Sequence, residues 1–381
     1  MKCSFVRFAV LACGLLMLVS GLSGCGSSSH PAPVQTAAKA EYVYAANLNQ
    51  VTGFTVNQTT GALSALSNVL GPNGAGDMVA DPSANFLYVS DFAGAIDAYA
   101  INAATGGLTP ISGSPFQVGS GTGPYGLAID SVGKFLFLTH VNTQSIYVFT
   151  RDANTGALTS VPSSPFAAND PWQLVVHPSD NFLYASNTYD LMGSISAYAI
   201  DRSTGALTEI AGSPFTTVAG WPGPSGLAIS SSGKFLYAGL GGTANANHLV
   251  AAFSIDSSTG ALTPVSGSPF TTGDGPFRVV LDQSGKYLYT ANSHGNTISA
   301  FAIDSSTGAL TAMSGSPFTT GNFPFALAMD PVGKFLYTAN QDSGDISGFS
   351  VNATTGALTP LPSSPFSGLI GPTNMVIVKI P

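Results

Sequence analysis

GPFRVVLDQSGKYLYTANSHGNTISAFAIDSSTGALTAM, residues 275–313, reads as four short strands with their turns. FRVVLD (277–282) is a continuous apolar run suited to a buried strand, and Ser284-Gly285-Lys286 is a turn. YLYTAN (287–292) is a second strand, ISAFAI (298–303) a third and ALTAM (309–313) an outer one. DSSTG (304–308) joins the last two as a hairpin, its glycine supplying the left-handed residue that closes a longer loop.

The same unit recurs along the chain. TGAL, once TGGL, places its first glycine at Gly61, Gly106, Gly156, Gly205, Gly260, Gly308 and Gly356, with spacings of 45, 50, 49, 55, 48 and 48. YVYAAN, FLYVS, FLFLT, FLYAS, FLYAG, YLYTAN and FLYTAN begin at Tyr42, Phe86, Phe135, Phe182, Phe235, Tyr287 and Phe335. Seven four-stranded units at this period predict an all-β, seven-bladed β-propeller of antiparallel blades. The first copy starts at its second strand, whereas GPTNMVIVKIP (371–381) matches the innermost strand of the other copies. The C-terminal strand is therefore expected to join the first blade and close the ring. Ser-Pro-Phe follows the outer strand in six units (114–116, 164–166, 213–215, 268–270, 316–318 and 364–366). Proline, lacking an amide donor, ends an edge strand, and the phenylalanine packs between blades.

Composition agrees with a packed, turn-rich domain. Of 381 residues 44% are apolar and 8% charged, with a mean hydropathy of +0.29, which excludes a disordered chain. The 44 Gly and 25 Pro recur regularly, as turn punctuation. A net charge of -8 with only 11 Lys and Arg provides no footprint for a phosphate backbone, so nucleic acid is not an expected partner.

Residues 1–24 have signal-peptide layout: Lys2 and Arg7, an apolar run over 8–22, then Leu22-Ser23-Gly24 before Cys25. The end resembles a bacterial lipobox, and that resemblance implies cleavage, acylation of Cys25 and export to the bacterial cell envelope, facing the periplasm or the cell surface. All three cysteines, Cys3, Cys13 and Cys25, lie here, so the mature domain is expected to have neither disulfides nor thiolate metal sites. Cleavage leaves 9 cations against 19 carboxylates, a charge of -10, so attachment depends on acyl chains, at about 0.8 kcal/mol per buried methylene. Residues 25–40 are the lipidated Cys and a flexible tether, and the propeller occupies 41–381.

In a repeat protein, chemistry is sought where copies disagree. One face carries the loops before the inner strand and between second and third strands; the GK turns and STG hairpins occupy the other. Lys134, Lys234, Lys286, Lys334, Arg151 and Arg202 sort to the second face, leaving Arg278 for the loop face against Asp77, Asp91, Asp170, Asp190, Asp274, Asp342 and Asp345. Arg278 belongs to a ring of aligned positions, Asp77, Gly126, Gln173, Gly226, Arg278, Ala326 and Asn374. Either an aspartate neutralises it or it grips an anion or carbonyl oxygen. His294 lies in the same blade and His140 across the ring; each reads as a solvated loop imidazole or as a catalytic group. His177 replaces a turn aspartate on the opposite face, and His248 lies in an insertion. Trp172 and Trp221, near Tyr125, Phe277, Phe323 and Phe325, form an aromatic wall suited to sugars or small cyclic compounds, or else pack between blades. No EF-hand, HExxH, P-loop, nucleophile elbow or Cys-His cluster is present, so neither cofactor nor metal is expected.

GP before the inner strand, GK(F/Y)LY, (I/V)SxF and TGAL together resemble the seven-bladed lactonase-type propellers, including 6-phosphogluconolactonase relatives and the similar YVTN-type surface propellers. The resemblance spans 41–381. Hydrolytic members carry Gly-Pro-Arg-His at an inner strand and an Asn-Arg-Gly-His-like turn; the matching places here read Gly275-Pro276-Phe277-Arg278 and Asn292-Ser293-His294-Gly295, displaced by a residue. The resemblance implies attack of water on a ring ester, with His294 or Asp274 activating the water and Arg278 stabilising the oxyanion. Asp77, His140, Trp172, Gln173, Trp221 and Asn374 are the candidate ligand contacts. An acidic mouth favours a neutral sugar lactone over a phosphorylated one. The alternative is a lipid-anchored, non-catalytic binding or scaffold propeller recognising a glycan, peptide or envelope protein.

Overall fold

The computed structural model describes residues 39–47, 50–71, 74–119, 123–188, 193–218, 223–241 and 248–381. Cys25, Asp190 and Trp221 lie outside the described residues. Seven antiparallel sheets follow one another along the chain, each running inner, second, third and outer strand. In blade 6 these are Pro276–Leu281, Tyr287–Asn292, Thr297–Ile303 and Leu310–Ala312. The closing strand Asn374–Lys379 pairs antiparallel with Glu41–Asn47, from Glu41↔Lys379 to Ala46↔Asn374. It thereby supplies blade 1 with its inner strand and joins the two ends of the propeller.

The outer edge differs from the expected single strand. After the three-residue outer strand the chain turns at Ser-Pro, whose peptide is cis in all six copies, and a two-residue strand beginning at the Phe returns to the same third strand. In blade 3, Leu158–Ser160 pairs with one half of Ser145–Arg151, and Phe166–Ala167 pairs with the other. The serine holds this break in place by accepting a third-strand amide, as in Ala300 N to Ser316 Oγ at 3.0 Å and Gly348 N to Ser364 Oγ at 3.0 Å. The motif is scaffold, as its recurrence implies.

Each of the seven hydrophobic clusters draws on two neighbouring blades. Phe86, Tyr88, Ile96 and Ala98 of blade 2 meet Leu127, Leu136, Leu138 and Phe149 of blade 3. The last cluster joins Val43 and Phe54 of blade 1 to Phe335, Tyr337 and Ile346 of blade 7. At about 1.5–3 kcal/mol for each fully buried large side chain, these faces hold the ring together. All seven clusters and the closing strand lie within the unit Lys39–Pro381, which contains its whole core and is expected to fold by itself.

The two repeated motifs meet across these boundaries. In six of the seven blades the buried tyrosine of the FLY-type strand donates to the carbonyl of the hairpin glycine in the next blade: Tyr44 to Gly106 at 2.8 Å, Tyr88 to Gly156 at 2.8 Å, and Tyr289 to Gly356 at 2.7 Å. Tyr184, Tyr237 and Tyr337 reach Gly260, Gly308 and Gly61 in the same way. Gly308 takes φ +77°, and a Cβ there would lie 2.4 Å from the Phe235 ring. Both its backbone and its neighbour therefore demand glycine.

Candidate functional site in the central channel

Pairing in five inner strands shifts register where they enter the sheet, in blades 2, 3, 4, 6 and 7. In blade 4, Pro171 pairs with Asn187 and Leu174 with Ala185, leaving Trp172 and Gln173 opposite Ser186 alone. In blade 6 the extra residue is Phe277, between Pro276↔Asn292 and Arg278↔Ala291. Such bulges re-aim side chains. Hydroxyls on the second strand stabilise three of them: Ser90 Oγ accepts Asp77 N at 2.8 Å, Thr139 Oγ1 accepts Gly126 N at 2.7 Å, and Ser186 Oγ accepts Gln173 N at 2.9 Å. Ser90 and Thr139 also donate to the next blade, at Tyr125 O (2.6 Å) and Trp172 O (2.8 Å).

The ring positions converge on a cavity of about 190 Å³ lined by Asp77, Gln173, Arg278, Ala326 and Asn374, with Leu127, Val279 and Leu327 among its apolar neighbours. Gly126 and Gly226 serve packing instead: a Cβ would lie 2.3 Å from Trp172 O and 2.4 Å from Phe277 O respectively. Their glycines let the next blade's backbone close in.

Arg278, from blade 6, approaches Asp77 of blade 2, three blades away around the ring, with Nη2 3.8 Å from Oδ1. Both are buried, at 6% and 5% exposure. The pair is too long for a hydrogen bond. Asp77 instead accepts Met78 N on Oδ1 (2.9 Å), Leu127 N on Oδ2 (3.1 Å) and the Asn374 amide on Oδ1. Burial raises the Asp77 pKa above the ordinary carboxylate range, opposed by Arg278 and by these donors. Arg278 Nε and Nη2 have no hydrogen-bond partner among the described residues. The aspartate that faces Arg278 therefore balances its charge without occupying its donors. Gln173 Oε1 accepts Leu227 N at 2.6 Å, so Asp77 and Gln173 each tie their blade to the next.

Aromatic rings stand at the bulges. Tyr125 and Trp172 stack with centroids 3.7 Å apart, and Phe92 continues this arc 5.9 Å from Tyr125. On blades 6 and 7, Phe277 packs 4.2 Å from Phe325, and Phe323 lies 6.2 Å from Phe325 and edge-on to His294 at 5.6 Å. All of these contacts except Phe323–Phe325 cross blade boundaries.

The other candidates stand apart from the cavity lining. His294 is exposed, on a turn beside Gly275, and Asp274 is partly exposed with its carboxylate 3.5 Å from His248 Nδ1. His140 is not the solvated imidazole expected as one reading: it is fully buried beside Tyr147, with Nδ1 accepting Thr143 N at 3.3 Å and its pKa lowered by desolvation. It stands where other blades have Asn47, Asn187, Asn292 or Asn340 at the end of the second strand. His177 fills a turn-aspartate position, bonding Ser179 Oγ (2.8 Å) and Gly233 O (2.9 Å). Larger cavities of about 380 and 300 Å³ lie at the GK turns of blades 6/7 and 5/6. Their repetition marks them as inter-blade grooves; the channel, where the copies differ, is the candidate site.

Sequence reading missed Asp97. It occupies the place of Ser196, Ser299 and Ser347, which bond to Asn187, Asn292 and Asn340, but blade 2 pairs it with Asp91. Burial, with Asp91 adding repulsion, pushes the Asp97 pKa up to about 6. Alignment of the copies carried that signal in Ile96-Asp97-Ala98 against Ile298-Ser299-Ala300.

Comparison with known proteins agrees with the fold and the repeats. A family model described as lactonase, 7-bladed beta-propeller, matches residues 37–176, 142–216, 174–317 and 269–369. A 6-phosphogluconolactonase of Formosa agariphila is 28% identical over 168 residues, covering 43% of this chain and 46% of that protein, so the match spans about half of the curated relative. Among solved structures, a Bacteroides fragilis protein superposes with TM-score 0.75 at 22% identity, over 91% of this chain and all of that one. The periplasmic gluconolactonase of Pseudomonas aeruginosa gives TM-score 0.75 at 19% identity, over 90% of this chain and 100% of its own. With its closed ring of seven four-stranded blades, this chain belongs to the seven-bladed β-propeller lactonase family.

Proposed function

We propose that the protein is an exported, lipid-anchored hydrolase of small neutral lactones, working in the central channel. The observation that carries the reading is the buried Arg278, with two donors unengaged beside a carboxylate of raised pKa in the cavity. In this reading water attacks the ring-ester carbonyl while Arg278 stabilises the developing oxyanion. Asp77 takes the proton of the water and returns it to the alkoxide released when the ring C–O bond breaks. His294 and Asp274 contact the substrate at the rim rather than at the reacting atoms. The aromatic arcs from Phe92 to Trp172 and from Phe277 to Phe323 offer apolar faces to a sugar ring. The lipobox-like Leu22-Ser23-Gly24-Cys25 supports anchoring, and an exported protein would meet unphosphorylated sugars. The periplasmic gluconolactonase that shares the fold supports the same substrate class.

The test is a panel of sugar and simple lactones with the soluble propeller lacking Cys25. Arg278→Ala is expected to lower turnover by about 10²–10³-fold, as for loss of an oxyanion donor, with its circular dichroism unchanged. His294→Ala is expected to act mainly on KM. An unchanged rate in Arg278→Ala removes Arg278 from the mechanism; no turnover of any lactone favours the binding or scaffold reading, which the aromatic rim also supports.

A further inference from the structure

We infer that the channel binds the open-chain carboxylate of a small polyhydroxy acid, gripped side-on by Arg278, so that the protein is held back by its own product. The inference rests on the lactone reading for its ligand class but not for its geometry. Nε and Nη2 are the two donors along one edge of a guanidinium, the edge that meets both oxygens of a carboxylate in parallel hydrogen bonds. On Arg278 these two are buried without a hydrogen-bond partner among the described residues. Burying such donors costs free energy unless a ligand supplies acceptors. Asp77 stays 3.8 Å away, its oxygens engaged by Met78 N, Leu127 N and the Asn374 amide.

Charge and size narrow the ligand. Among the described residues Arg278 is the sole cation lining the cavity, and it already faces one carboxylate. A second singly charged group is tolerated there far better than a phosphate dianion. Gln173 commits its carbonyl to Leu227 N, leaving its amide donors for a ligand hydroxyl. The cavity, about 190 Å³, is smaller than the ~300–1,000 Å³ of drug-sized sites, which suits a short acid.

Calorimetry with the Lys39–Pro381 propeller and gluconate tests this, with glucose and inorganic phosphate as controls. Gluconate is expected to bind at least 10-fold tighter than either control. Arg278→Gln and Arg278→Lys should each lose 10-fold or more, because lysine keeps the charge but not the fork. Asp77→Asn should bind gluconate 3- to 10-fold tighter, by removing a competing carboxylate, while its lactone turnover falls. Undiminished gluconate binding in Arg278→Gln, or weaker binding in an Asp77→Asn protein of wild-type melting temperature, overturns the inference. Should Asp77→Asn not fold, the contrast between Lys and wild type at 278 decides. Lactone turnover without gluconate binding, or turnover that gluconate does not slow, sinks this inference and leaves the hydrolase standing; gluconate binding without turnover removes the hydrolase and the product restraint and leaves only the side-on grip.

Discussion

Asp77 and Arg278 acquire their properties from position rather than from type. A carboxylate in water serves poorly as a base near neutrality, whereas burial raises the pKa of Asp77 and makes its ionised form a better proton acceptor. Since the base works ionised, kcat/KM is expected to rise with pH through an acid limb displaced above the usual carboxylate range. Asp77→Asn should abolish that limb with the activity, which a pH–rate profile will show. The ring of aligned positions was legible in the sequence because the repeats can be superposed residue by residue. That Arg278 meets Asp77, and not an aspartate of its own or an adjoining blade, was not legible. The sequence places them 201 positions apart, and only the narrowness of the channel brings blades 2 and 6 together.

Strands and hairpins show a different division. The spacing of FLY and TGAL located every second strand and hairpin, but not that one blade's tyrosine bonds the next blade's glycine. Blade 3 has Phe137 at this place and lacks the hydroxyl facing Gly205. Tyr237→Phe is expected to cost about 1–2 kcal/mol by removing a buried hydrogen bond, and Phe137→Tyr to recover about 0.5–1 kcal/mol; urea unfolding measures both. The bulges escaped the sequence reading too, since the extra residue of an inner strand, Phe277 or Trp172, looks like a strand residue until its pairing is known. Cis peptides and the returning Phe strand were hidden for the same reason: Ser-Pro-Phe marks a break without saying where the chain goes next.

Closure and charge belong to the whole molecule. Removing residues 372–381 deletes the strand that pairs with Glu41–Asn47 and also Asn374 of the channel. The truncated chain is expected to lose its cooperative melting transition in calorimetry. Glu41, at that junction, is buried near Asp330, and desolvation pushes its pKa up to about 7 despite Lys379. Asp97 is raised to about 6, whereas hydrogen bonds in the hairpins hold Asp201, Asp256 and Asp304 at about 2. A carboxylate whose folded pKa is raised binds its proton more tightly when folded, so its stabilisation is complete below the unfolded value and is lost as pH rises through the folded one. The hairpin aspartates act oppositely, losing their stabilisation only in strong acid. Melting temperature is therefore expected to peak between about pH 4 and 5 and to fall towards pH 8. Glu41→Gln and Asp97→Ser should flatten that fall; an equally steep decline in both variants would show that neither group drives it.

The amino-acid sequence by itself determined the number of blades, their strands, the closing strand and the ring of unlike residues, because seven copies of one unit reveal shared and unshared positions directly. Tertiary structure alone decided which of the unlike residues meet. Arg278, Asp77, Gln173 and Asn374 share a cavity, while His294 and Asp274 stand outside its lining and His140 is sealed within its blade. The reason is geometric: repetition along a chain specifies each blade's own contacts, whereas contacts across the channel arise only once the ring has closed.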